Sequence, residues 1–210
     1  MKLSGLAFTL VFLLPSTVAA QDEATAVKET FYGYKMAILQ GDGEVAAALV
    51  TESTHDLYRQ FANGALTLDK TGLDELHVME RLTILQLRHE MTRAQLESMS
   101  GGQIVAYAVD NGWIGKDSAT RLQIGDFTID GDTASAAILG NDGTATPLRM
   151  KFTREDGLWR LDLAEMMVLT RVVVVQAIRQ TGMSEDEFIL FALEAASGRK
   201  PGPEIWSPPL

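Results

Sequence analysis

Three histidines, His55, His77 and His89, are the residues of this 210-residue chain best suited to bind a metal or move a proton. No cysteine accompanies them, so thiolate metal sites, iron–sulfur clusters, thiol catalysis and disulfides are excluded. Their spacing does not converge. On one continuous helix His77 and His89 stand about 18 Å apart along the axis and about 120° apart around it, too far to share an ion. His55 lies near the start of a separate helix beside Glu52 and Asp56, and no HExxH spacing occurs. The expected roles are a surface or first-turn position for His55 and His77 and a core position for His89, with no metal and no cofactor. Asp130-Gly131-Asp132 and Asn141-Asp142-Gly143 lack the ligand spacing of a calcium loop and read as hairpin turns. Gly101-Gly102 is not followed by Lys-Ser/Thr, so it is no phosphate loop, and no serine nucleophile elbow appears. Cofactor-free proton transfer needs a carboxylate and a hydrogen-bond donor facing one cavity. Asp126, beside a predicted strand bulge that re-aims side chains, is the best-placed carboxylate, with Tyr34 or Tyr58 as donor.

The elements that must position these groups are legible in the hydrophobic period. Val27, Phe31, Tyr34 and Ile38 fall on one face of a helix over Ala24 to Gln40, stopped at Gly41-Asp42-Gly43. A second helix covers Glu44 to Val50, and Ser53-x-x-Asp56 opens a third, ended at Asn63-Gly64. Ala65 to Leu68 is expected as a short strand. Thr71-x-x-Asp74 starts a long central helix to about Met91, apolar on two sides. Thr92-x-x-Gln95 caps a short helix ended by Ser100-Gly101-Gly102, and another spans Gln103 to Val109.

After Lys116 the period changes from helical to two. Ile124, Phe127 and Ile129, then Ala134, Ala136 and Ile138, then Leu148, Met150 and Phe152, then Trp159, Leu161 and Leu163, alternate along four strands. Asp130-Gly131, Asn141-Asp142-Gly143 and Asp156-Gly157 turn between them, and Gly125-Asp126 marks a bulge. Arg149, Lys151 and Arg160 interleave with Glu155, Asp156 and Asp162 on the outward face, a solvated surface with cross-strand ion pairs. Ala164 to Gln180 is expected to be helical. Ser184-x-x-Glu187 caps a final helix with Phe188, Phe191 and Ala192 on one side, and residues 199–210 form an extended proline-rich tail carrying Trp206.

Lys2, the apolar run Leu3 to Leu14, and Val18-Ala19-Ala20 read as a secretory leader over residues 1–20, with Gln21 as the mature start. The apolar run is about 12 residues, short of the roughly 20 that span a bilayer. Residues 21–198 are then a single domain, periplasmic or secreted, with no stable membrane insertion. Eighteen cations against 28 acids leave a net charge of −10, or −11 once Lys2 is removed, which opposes nucleic-acid binding.

The stretches Thr30 to Val50 (TFYGYKMAILQGDGEVAAALV) and Met150 to Leu163 (MKFTREDGLWRLDL) frame an α+β arrangement that resembles the nuclear transport factor two-like superfamily. A helical N-terminal half packs on a curved four-stranded antiparallel meander, with C-terminal helices added. The resemblance implies a cone with an apolar pocket, lined here by Tyr34, Tyr58, Phe127 and Trp159. It implies a non-catalytic binding or accessory protein of the cell envelope, whose partner is a small apolar ligand or another envelope protein. A homodimer through the sheet face is a further expectation. The alternative is a cofactor-independent isomerase or dehydratase of the ketosteroid-isomerase type using Asp126 with Tyr34 or Tyr58.

Overall fold

In the computed structural model, which describes residues 17–113 and 116–210, the chain is α+β. Residues 1–16 of the expected leader lie outside the described residues. Helix α1 (Thr17–Gln40) begins earlier than its apolar stripe requires and buries the expected face: Val27, Phe31, Tyr34 and Ile38 are almost wholly enclosed. Asp42 caps α2 (Gly43–Ala48), its carboxylate accepting from Val45 N at 3.1 Å. Thr51 caps α3 (Glu52–Thr67), in place of the expected Ser53.

Three local expectations fail for packing reasons. Helix α3 runs through Asn63-Gly64, so Ala65 to Leu68 is no strand. Gly64 is a contact glycine there, since a Cβ would stand 2.9 Å from Ile84 Cδ1. The expected long helix is two, α4 (Lys70–Asp74) and α5 (Val78–Glu90), because the chain turns at residues 75–77 and Glu80 restarts it by accepting from His77 N at 3.1 Å. Short α6 (Arg93–Ser98) and α7 (Gly101–Asp110) carry capping boxes at Thr92/Gln95 and Ser100/Gln103, so Ser100-Gly101-Gly102 opens a helix. An unanticipated α8 (Lys116–Arg121) precedes the sheet.

Strands β1 (Gln123–Asp130), β2 (Thr133–Leu139), β3 (Ala145–Glu155) and β4 (Leu158–Leu161) form the expected meander, with the bulge between Ile124 and Phe127. Leu163 leaves the strand to start α9 (Leu163–Thr181). Asp162, expected to point outward from a strand, caps that helix by accepting from Glu165 N at 3.1 Å. Helix α10 (Glu185–Ser197) has its Ser184/Glu187 capping box; its buried face centres on Ile189 and Leu193, with Phe188 and Ala192 partly buried beside them, but Phe191 is exposed.

Two cores result. Helix α1 fills the concave face of the sheet with Val27, Phe31 and Tyr34 against Met150, Phe152, Trp159 and Leu161. A second core joins α3, α5, α7 and α10 through Phe61, Leu85, Leu87, Ile104 and Leu193. The C-terminal tail is not extended throughout. It forms a 3-10 turn (Pro203–Trp206) whose Ile205 enters the second core, while Arg88 donates to Ile205 O at 3.1 Å and the Lys70 ammonium sits 4.7 Å over the Trp206 ring. Ile205→Ala should therefore cost about 2–4 kcal/mol in urea unfolding, as for other buried aliphatic truncations.

Buried Arg81 binds Asp74, Glu185 and Asp186, tying α5 to α4 and α10, and Lys70 also pairs with Asp74 and Asp186. The Lys70 hydrogen bond, with help from Arg81, holds the Asp74 carboxyl below its usual range. A depressed carboxylate stabilises the fold above its unfolded pKa and loses that effect as pH falls through the folded value. Urea midpoints should fall on acidification through the carboxylate range, and Asp74→Asn should flatten that dependence.

Candidate functional site

The concave face of the sheet is a packed core. Tyr34 is 5% exposed, and its phenol is pushed up in pKa by burial and then by neighbouring Tyr58, which burial raises likewise. Tyr58 packs against both cores and meets Phe61 edge to face at 6.0 Å. Phe127 tilts against Phe152 at 6.3 Å, with the Lys28 ammonium over its ring. Trp159 serves the fold: its indole donates to Glu23 Oε2 at 2.8 Å, its ring carries the Arg154 guanidinium at 4.7 Å, and its carbonyl accepts from Thr30. Tyr34 and Tyr58 thus do come together, with Phe127 and Trp159 around the same core. Of these four, Trp159 alone borders one of the five cavities described, a shallow hollow of 290 Å³ beside Ala26, Leu49 and Leu158. Asp126 is solvent-exposed at the bulge between Ile124 and Phe127.

The histidines are equally dispersed. His77 lies at the start of α5, and His89 meets Ser197 Oγ at 2.8 Å, joining α5 to the end of α10. Among the described residues, no three His, Asp or Glu side chains are grouped to hold a metal.

His55 lines the largest cavity described, an open groove of 830 Å³ between α2, α3 and α7. Glycine builds this groove. A Cβ on Gly101 would stand 1.8 Å from His55 O, and one on Gly43 would stand 2.1 Å from Ala106 O. Only bare backbone at these positions lets α7 cross so close to α2 and α3. Asp110 Oδ1 accepts from Gly43 N at 2.7 Å and fixes the crossing. Ala47, Gly102 and Ala106 form a low floor, while Glu44, Glu52, Asp56, Arg59 and Gln103 form polar walls.

His55 Nε2 lies 2.9 Å from Ala47 O. A carbonyl only accepts, so Nε2 carries the proton, and the other nitrogen, Nδ1, lies 3.4 Å from Glu52 Oε1. Arg59 is held in the wall by donating to Leu96 O at 2.8 Å, Met99 O at 2.7 Å and Asn63 Oδ1 at 2.7 Å. The groove therefore offers fixed donors and acceptors over a small-residue floor, an arrangement suited to orienting a polar ligand. His55 lies at the first turn of α3, as expected, but Gly101-Gly102, expected as a helix stop, opens α7 beside it. The signal for it is a glycine pair inside a Ser-x-x-Gln capping box, which marks a helix start where another backbone comes close.

Gly101→Ala should destabilise the protein by about 3 kcal/mol or more, because two helix backbones must separate. Gly102→Ala, whose Cβ would rest 3.4 Å from the His55 ring, should be neutral or stabilising by up to about 1 kcal/mol. Paired chemical-denaturation curves check both. Comparison of the chain with protein families, with curated proteins and with solved structures finds no match.

Proposed function

We propose that this is an exported accessory protein of the cell envelope, periplasmic or secreted, that binds a ligand rather than converting it. The observation that carries the reading is the polar groove between α2, α3 and α7, the largest cavity described, beside a concave face filled by its own side chains. The ligand is then polar, a small molecule or a short chain segment, and it lies against Gly102 and Ala106 between His55, Arg59 and the carboxylates. The packing of Phe31, Tyr34 and Trp159 into the core between α1 and the sheet favours the polar groove over the apolar cone pocket expected from the superfamily resemblance. The isomerase reading is disfavoured, since Asp126 is exposed while Tyr34 is buried and Tyr58 packs half-buried against both cores.

Export rests on the leader-like residues 1–20. The clasp of Glu23 to Trp159 and Arg154 lies beyond the expected cleavage point, so removal of the leader spares it. A protein-binding sheet face is the second reading, favoured by a 340 Å³ hollow across Thr128, Ser135, Lys151 and Glu165 on the outer surface.

N-terminal sequencing of protein recovered from the envelope fraction should begin at Gln21; retention of residues 1–20 would overturn export. Native mass spectrometry of that material should show a small-molecule adduct, absent from a folded Gly102→Leu variant whose side chain fills the groove. An adduct that survives Gly102→Leu would move the site elsewhere, and the outer sheet hollow would be tested next by Ser135→Trp.

A further inference from the structure

We infer that the chain pairs with a second copy of itself through α9, the two helices running antiparallel about a two-fold axis at Val172. The inference goes beyond ligand binding in the groove and does not depend on export. On a helix, residues 165, 168, 172, 176 and 179 lie within about 80° of one another around the axis. In α9 these are Glu165, Val168, Val172, Gln176 and Arg179, and all five are exposed. Val174 and Ile178, on the opposite side, pack into the second core. Val172 is 74% exposed and Val168 53%, so the centre of the outer face is apolar and open.

The two ends of this face carry opposite charge. Among the described residues Arg179 forms no ion pair. At the other end, Glu165 and Val168 border a hollow of 310 Å³ whose remaining charged groups are Glu80, Asp162 and Arg171. Arg171 is committed to Glu80, and Lys151 donates to Glu165 Oε2 at 2.7 Å. Three acids against these two bases leave one negative charge in excess, with Glu165 Oε1 available to a further cation.

Val172 stands seven residues, about 10 Å, from both Glu165 and Arg179. A two-fold axis there sets Val172 against its own symmetry mate and Val168 against the partner's Gln176. It also brings the partner's Arg179 to Glu165 and the acidic hollow, at both ends of the contact. Parallel pairing would instead set Arg179 on Arg179 and Glu165 on Glu165. A two-fold contact has to be self-complementary, and the order of groups on this face meets that condition. A bilayer would have to bury Glu165 and Gln176, whereas a second copy supplies a partner for each charge. One helix face is a small contact, so the association depends on concentration.

Sedimentation velocity of the protein recovered from cells, over about a hundredfold range of concentration, should show monomer passing to dimer. Val172→Glu, which sets like charges on the axis, should weaken the dimer by at least about tenfold with circular dichroism unchanged. Arg179→Glu should weaken it too, while Lys200→Glu, the same charge change at an exposed site outside α9, should leave it intact. The chain has no cysteine, so Val172→Cys places a single thiol at the axis. It should oxidise to a covalent dimer under conditions in which Val45→Cys, exposed on α2, stays monomeric. Monomer at every concentration, a dimer unmoved by Val172→Glu or by Arg179→Glu, or equal cross-linking of the two cysteine variants would overturn the inference.

Discussion

A fold assembled from short helices must satisfy the carbonyls at every helix end, and that demand organises this protein. Each helix leaves its last carbonyls without an intrahelical partner. Here cationic side chains from distant elements supply many of the donors. Arg88 of α5 donates to Gly64, Ala65 and Leu68 at the end of α3, and in the same grip to Ile205 of the tail. Arg59 of α3 closes the end of α6, Arg160 of β4 reaches Ala48 at the end of α2, and Lys35 of α1 closes α8. A cation at a helix C-terminus also meets the negative end of the dipole. Desolvation lowers the pKa of Arg88, the cost of placing a guanidinium among carbonyls.

These caps explain how two cores coexist without a disulfide. The sheet core and the helical core share α3 and α7, and Tyr58 touches both. Backbone contact at Gly43 and Gly101 brings α7 between α2 and α3, so the seam carries shape as well as area. Helix α1 packs against the sheet through Val27, Phe31 and Tyr34. The largest opening instead lies where three helices cross over small residues, and polar side chains line it because apolar ones there would face water.

Much of the framework was legible in the chain. The stripe on α1, the capping boxes before α6 and α10 and the Asx-Gly turns of the meander are local signals, governed by residues within a few positions of one another. The misreadings also share a cause. Gly64 looks like a stop and is a packing surface for Ile84; Phe191 looks like core and is exposed; Asp162 looks like an outward strand residue and caps α9. Each depends on a partner far away in sequence, which local period cannot supply. Trp159 was singled out for a ligand, yet Glu23 and Arg154 occupy its donor and its face.

The sequence by itself determined the α+β class, the order of the meander and the exclusion of thiol chemistry, because hydrophobic period, turn residues and cysteine count are local or compositional. Tertiary structure alone decided that Tyr34 is enclosed, that Tyr58 packs half-buried against both cores, that Asp126 is exposed, and that His55 joins Glu52, Asp56 and Arg59 around a groove. The physical reason is the approach of helices at bare glycine backbone. A Gly-Gly step permits several conformations, and only the opposing carbonyl of His55, brought there by the rest of the fold, selects one.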